Sequence, residues 1–163
     1  NTGLPLPTTE SSAPLPFLIW RFFSRWTPIF PPGRIVDAGT VTALPEEVRA
    51  AYQAPFPTHR HLAGARIMPS LVPIDPEDPA VPANAEAWEV LRRWERPLLT
   101  AFSDGDPITR GIEVTFQSQV PGARDQPHVT IEGAGHFLQE DKGEELAELV
   151  VDFLRRLGTA PGG

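Results

Sequence analysis

At 163 residues the chain is long enough for one domain of ordinary size. Hydrophobic residues make up 40% and charged residues 21%, a globular rather than a disordered balance. The net charge of −7 argues against nucleic acid or an anionic membrane surface as partner, and no apolar run is long enough to span a bilayer. There is no cysteine, which excludes disulfides and thiolate zinc sites.

Fifteen of the 20 prolines lie in residues 1–82, a half of turns and short segments. Asn1 to Thr9 reads as a loop leaving a strand. Between Phe17 and Phe30 stand six aromatics, and Phe17, Trp20 and Phe23 share a helix face at i, i+3 and i+6. Pro28, Pro31 and Pro32 end that segment. A short helix is predicted from Pro45 to Gln53, with proline in its first turn and Glu46 and Glu47 behind it. There follow APFPTHRH, an apolar stretch at Met68 to Val72, and VPIDPEDPAVP, which reads as a linker to another layer.

From Ala83 the pattern alternates. Ala83 to Arg96 is an amphipathic helix stopping before Pro97. Pro97 to Ser103 is an apolar strand, DGDP a turn, and Gly111 to Val120 helical. Pro127 to Ile131 is the next strand, and GAGH a tight turn. The final helix carries Leu146, Leu149, Val150, Phe153, Leu154 and Leu157 at helical spacing. Acids stand at its start, Arg155 and Arg156 at its end, and Gly158 is placed to cap it. This order implies a parallel sheet covered by helices, whose ligands sit at the C-terminal ends of the strands.

Asp104 and Asp106 follow the first predicted strand and His136 the second, so an aspartate and the histidine can meet there. A carboxylate behind a histidine fixes its tautomer and stabilises the imidazolium as it forms. The plainer reading makes DGD a surface turn and His136 a helix-start residue. The order acid then histidine is that of α/β-hydrolases. His59 and His61 form an H-x-H pair in a proline-rich loop, where solvation outweighs metal binding because no further ligand is near in sequence. His128 sits in a predicted strand and reads as structural.

IEGAGHFLQED resembles the histidine loop of haloalkane dehalogenases and their epoxide-hydrolase relatives, and AFSDGDPI the acid loop of the same group. NTGLP, AYQAPFP and AGARIMPSLVP resemble the dehalogenase subgroup in particular. The resemblance spans nearly the whole chain. It implies the C-terminal part of an α/β-hydrolase fold plus a mainly helical cap: residues 1–9 as the end of a core strand and its exit loop, 10–82 as cap, and 83–163 as core. By position in the motif it makes Asp106 the acid and His136 the water-activating base. It places a halide-binding indole in a Phe-x-x-Trp segment, matched by Phe17-Leu-Ile-Trp20, with Phe17 a pocket wall. Trp26 is expected to pack the cap, and Trp88 and Trp94 to be core and helix-surface residues. Glu140 stands at i, i+4 from His136, but the family pattern speaks against a metal there.

The implied reaction hydrolyses a haloalkane to an alcohol and halide through an aspartyl ester, with water as co-substrate and neither cofactor nor metal. A cytoplasmic location is the expectation for such an enzyme. No Asp-Trp pair or Gly-x-Asp-x-Gly elbow occurs in these residues. The nucleophile is therefore expected in an N-terminal half, which would also complete the sheet, and the chain alone is expected to be inactive. Epoxide hydrolases, which share the fold, use cap tyrosines; the single tyrosine here, Tyr52, suits packing better. A non-catalytic relative is the other alternative.

Overall fold

In a computed structural model, residues 1–6 and 13–159 are described. They divide into two units, one of Asn1–Thr2, Thr40–Thr42 and Leu91 onward, the other of Gly3–Gly39 and Ala43–Val90. Of the segment expected to end a strand, residues 1–6 have no regular secondary structure, and 7–9 lie outside the described residues.

The second of these units is helical. Helix α1 (Leu15–Trp26) buries Phe17 and Ser24. Prolines set its limits: Pro14 caps the start and Pro16 occupies the first turn, where a missing N–H costs nothing. The prolines after it do more than stop it. Pro32 opens a further helix, α2 (Pro32–Ala38), which the sequence pattern does not announce because proline reads there as a terminator. Helix α3 (Glu46–Gln53) matches the expected helix, with Pro45 at its cap and two glutamates in its first turn. Helices α2 and α3 cross closely at Gly33, where a β-carbon would lie 2.1 Å from the Arg49 carbonyl oxygen. A 3-10 turn at His59–Leu62, helix α4 (Ala63–Ile67) and a second 3-10 turn at Met68–Leu71 follow. Two arginines tie this stretch to α1. Arg21 donates to the Val72 carbonyl at 3.0 Å, and Arg66 donates to the Thr27 carbonyl while lying 5.3 Å over the Phe30 ring.

Helix α5 (Val81–Leu91) brings Trp88 into this unit at 4% exposure, its indole N–H donating to the Leu4 carbonyl at 2.8 Å. The helix ends earlier than Arg96. Beyond Leu91 the chain turns, and the carbonyl of Trp94 accepts the Gly122 N–H at 2.7 Å instead of continuing a helical ladder. Trp94 thus lies past the helix, with Arg96 over its ring.

The other unit holds two parallel strands, β1 (Ala101–Ser103) and β2 (Val129–Ile131), paired Ala101 with Val129 and Ser103 with Ile131. Between them run α6 (Glu113–Gln119) and a 3-10 turn at Pro121–Ala123. His128, just ahead of β2, accepts the Thr100 N–H at Nδ1 (3.1 Å) and places Nε2 2.8 Å from the Ala123 carbonyl. Both ring nitrogens serve the fold, as the structural reading expects. After β2 come α7 (Leu138–Asp141) and α8 (Gly143–Thr159). Ile131, Ala134 and Leu138 form the buried centre, against which Leu146 and Leu149 of α8 pack. The helix runs on through Gly158 rather than being capped by it. Val150, Leu154 and Leu157 are exposed among the described residues.

Candidate active site

Both strands end at the same edge, and the loops beyond them are joined by their own backbones. After β1, the Asp104 N–H donates to the Ile131 carbonyl (3.1 Å) and the Gly105 N–H to the Ala134 carbonyl (3.0 Å). The Asp104 carboxylate accepts the Gly133 N–H in return, at 2.9 Å. A β-carbon at position 105 would lie 2.6 Å from the Ala134 oxygen, so only glycine lets the two loops approach this closely. Asp104 is thereby spent on the loop, and the next acid, Asp106, is turned inward.

Asp106 is 1% exposed. One carboxylate oxygen accepts the Ile108 N–H at 2.8 Å. The other accepts the Thr109 hydroxyl and lies 3.0 Å from Nδ1 of His136. Burial pushes the carboxyl pKa up, but the hydrogen bonds from Thr109, His136 and Ile108, with the histidine's charge, outweigh it and hold the group below the usual aspartate range. An ionised carboxylate only accepts, so the proton between them sits on Nδ1 of His136. Nε2 is left as the basic nitrogen. The imidazole is 32% exposed and meets the edge of Phe137, ring centres 5.1 Å apart. The structure thus brings together the two residues that the sequence singles out, and the geometry is that of a histidine held and polarised by a buried acid.

Trp20 and Phe17 belong to the helical unit. They lie one turn apart on α1, with Phe17 buried and Trp20 half-buried. The Trp20 ring sits 5.9 Å from Phe23 and 5.8 Å from Phe30. Trp26, expected to pack, is 68% exposed, with Arg25 over its ring. Tyr52 is half-buried on α3. His59 and His61 are exposed in their 3-10 turn, where the Thr58 hydroxyl lies 2.8 Å from the His61 ring. Glu140 falls inside α7, whereas His136 precedes that helix, so the two do not share a helical face.

Three polar residues at this edge lie outside the set singled out from the sequence. The Asn1 amide nitrogen lies within 2.7–2.9 Å of Ser103 Oγ and the carbonyls of Gly135 and His136, and its oxygen accepts the Ser103 N–H. Ser103 donates its hydroxyl to the Gly135 carbonyl at 2.7 Å. Asp141 accepts the N–H groups of Gly135, Val41 and Thr42. Asn1 meets Ser103 and the histidine loop across more than a hundred residues of chain, and no local pattern marks either partner. Asp141 is the one that could have been found. It stands in the GHFLQED run itself, where an acid at the C-terminal end of a short helix is electrostatically out of place and so calls for another partner.

No family model matches the chain. It is 49% identical over 148 residues to a haloalkane dehalogenase of Mycobacterium tuberculosis, covering 91% of this chain and 49% of that protein. A haloalkane dehalogenase of Psychrobacter cryohalolentis is 45% identical over 149 residues, with the same coverage. Among solved structures, the tetrameric haloalkane dehalogenase of Paraglaciecola agarilytica superposes with a TM-score of 0.79 at 24% identity, over 91% of this chain and 48% of that one. One from Agrobacterium tumefaciens gives 0.70 at 24% identity, over 89% and 53%. With the parallel strands and the helices around them, these likenesses make the described structure part of an α/β-hydrolase fold. By sequence, the chain is similar to haloalkane dehalogenases over nine-tenths of its own length. It spans about half the length of the curated relatives it matches.

Proposed function

We propose that the protein to which these residues belong is a haloalkane dehalogenase, which hydrolyses a carbon–halogen bond to give an alcohol, a halide ion and a proton. The observation that carries this is the His136–Asp106 pair, 3.0 Å apart at the ends of parallel strands, in a sequence 49% identical to enzymes of that name. An aspartate from outside these 163 residues displaces halide from the substrate carbon and forms an alkyl ester. Nε2 of His136 then takes a proton from water as the oxygen attacks the ester carbonyl. The bond between the acyl carbon and the alkyl oxygen breaks, and the departing oxygen takes one proton of the attacking water to leave as alcohol. The other proton is released to solvent from His136, and the aspartate returns as a carboxylate. Asp106 stabilises the imidazolium that forms.

In this reading Trp20 donates its indole N–H to the leaving halide. A donor-only group suits an anion, and a hydrogen bond to a charged group contributes about 1.5–3 kcal/mol. Phe17, one turn away on α1, is a wall of the substrate pocket. Residues 10–82 form the cap and 83–163 the C-terminal part of the core, with 1–9 as the exit from a core strand. The N-terminal half of the protein supplies the nucleophile and covers the exposed apolar side of α8. The substrate is a halogenated hydrocarbon, and the steps above draw on no cofactor or metal. No described helix is long and apolar enough to cross a membrane; a cytoplasmic location belongs to the same proposal.

The test uses the full-length protein with His136→Phe. A stoichiometric burst of halide is expected, then arrest, with the alkyl group retained on the enzyme by mass spectrometry. Steady turnover in this variant would remove His136 from the mechanism. Absence of halide release from the unaltered protein would remove the dehalogenase reading itself.

A further inference from the structure

Gly135 immediately precedes His136. Gly135 is held at both ends of its own backbone. Its carbonyl accepts the Ser103 hydroxyl at 2.7 Å and the Asn1 amide at 2.9 Å. Its N–H donates to Asp141 at 2.8 Å. The same carboxylate accepts the Thr42 N–H at 2.8 Å and the Val41 N–H at 3.0 Å. Val41 in turn lies beside Gly105: a β-carbon built there would be 3.5 Å from the valine's Cγ2. Segment 40–42 therefore bridges the acid loop and the histidine loop, and Asp141 is its anchor.

Only a carboxylate meets this demand. Three N–H donors converge, Thr42 on one oxygen, Gly135 on the other, and Val41 between them. An ionised aspartate offers acceptor sites on both oxygens. Burial works against its charge, yet these hydrogen bonds prevail and keep the carboxyl below the usual aspartate range. An asparagine has one acceptor oxygen, so its NH2 must face either Gly135 or Thr42, donor against donor.

We propose that Asp141 is a positioning residue for His136: by holding the Gly135 N–H and segment Val41–Thr42 together, it sets the direction of the imidazole against Asp106. This rests on the dehalogenase reading for its kinetic consequence alone. His136 acts in ester hydrolysis and not in the displacement of halide. A residue that aims His136 must therefore affect the second step and spare the first, whereas a general loosening of the fold slows both. Misplacement of a reacting group by about 1 Å can cost on the order of 10²-fold.

The experiment is Asp141→Asn in the full-length protein, read by rapid-quench mass spectrometry of the alkyl-enzyme and by the NMR resonance of the His136 Nδ1 proton. Ester hydrolysis is expected to slow roughly 10- to 100-fold while alkylation stays within about twofold. The downfield Nδ1 proton, present in the parent, is expected to be lost or shifted upfield. Equal slowing of both steps, or an unchanged hydrolysis rate with an unchanged resonance, would overturn the proposal. If the parent releases no halide, the dehalogenase reading fails, and the resonance alone decides the role of Asp141. If Asp141→Asn does not fold, Asp141→Glu takes its place, because it keeps the charge but carries the carboxylate one methylene away from the N–H groups of Gly135, Val41 and Thr42. A shifted resonance in that variant supports the anchor, and an unaltered one refutes it.

Discussion

Replacing Asp106 with asparagine exchanges one carboxylate oxygen for an NH2 group, a donor where His136 needs an acceptor. The carboxylate serves three donors: Ile108 on one oxygen, Thr109 and His136 on the other. If the asparagine oxygen stays with the Ile108 N–H, its NH2 points at Nδ1 of His136. That nitrogen must then accept, and the imidazole proton moves to Nε2, the position that the proposed mechanism needs free to take a proton from water. The charge-assisted bond to the imidazolium is lost as well. That bond alone contributes about 1.5–3 kcal/mol, or roughly 10- to 150-fold in rate. Reversal of the tautomer pushes the loss toward the ~10⁴-fold known for the equivalent change in a serine-protease triad. The assay is pre-steady-state halide release by the full-length protein, where the initial burst is expected to survive and steady turnover to collapse. Steady turnover within about threefold of the parent would refute the assignment, because it falls below the smallest loss expected for the bond. The same substitution bears on acid stability. A pKa held below that of an unfolded aspartate, about 3.9, adds stability above that pH, and this stability is lost as pH falls through the lower folded value. Asparagine has no such dependence, so the variant is expected to be less stable at neutral pH and to lose less on acidification.

Two further outcomes are expected. Trp20→Phe keeps the ring and removes the N–H, so bromide should bind about 10- to 150-fold more weakly, measured by inhibition or fluorescence titration; equal affinity in both forms would exclude Trp20 as the donor. Gly33→Ala puts a β-carbon 2.1 Å from a backbone oxygen that has no side-chain freedom to move. Overpacking of this kind costs about 1–3 kcal/mol or more, so the thermal midpoint of the protein should fall by several degrees at roughly 2–4 °C per kcal/mol. An unchanged midpoint would mean that α2 and α3 do not cross as described.

Much of the fold is legible in the sequence because local signals agree with tertiary demands. Proline at the start and glutamates in the first turn mark α3, and apolar spacing marks α8. The differences have physical causes. Helix α2 is hidden because proline ends one helix and begins another with the same φ. Helix α5 stops at Leu91 although residues 92–96 suit a helix, since a distant glycine, Gly122, takes the Trp94 carbonyl. Trp26 lies on the exposed side of α1, which a count of aromatics does not reveal.

The sequence by itself implied the parallel order of the two strands and placed the candidate acid and histidine in the loops that end them. It offered two aspartates for one histidine, and only motif resemblance chose between them. The tertiary structure supplied the reason for that choice: Asp104 is consumed by the Gly133 N–H, and Asp106 is carried inward to His136. It also decided what holds the histidine. Asn1, Ser103 and Asp141 converge on Gly135 from points up to 134 residues apart, and Asp141 in turn holds Val41. Such convergence leaves no periodicity in the chain, because it arises only when the folded backbone presents its unpaired N–H and C=O groups at one edge of a sheet.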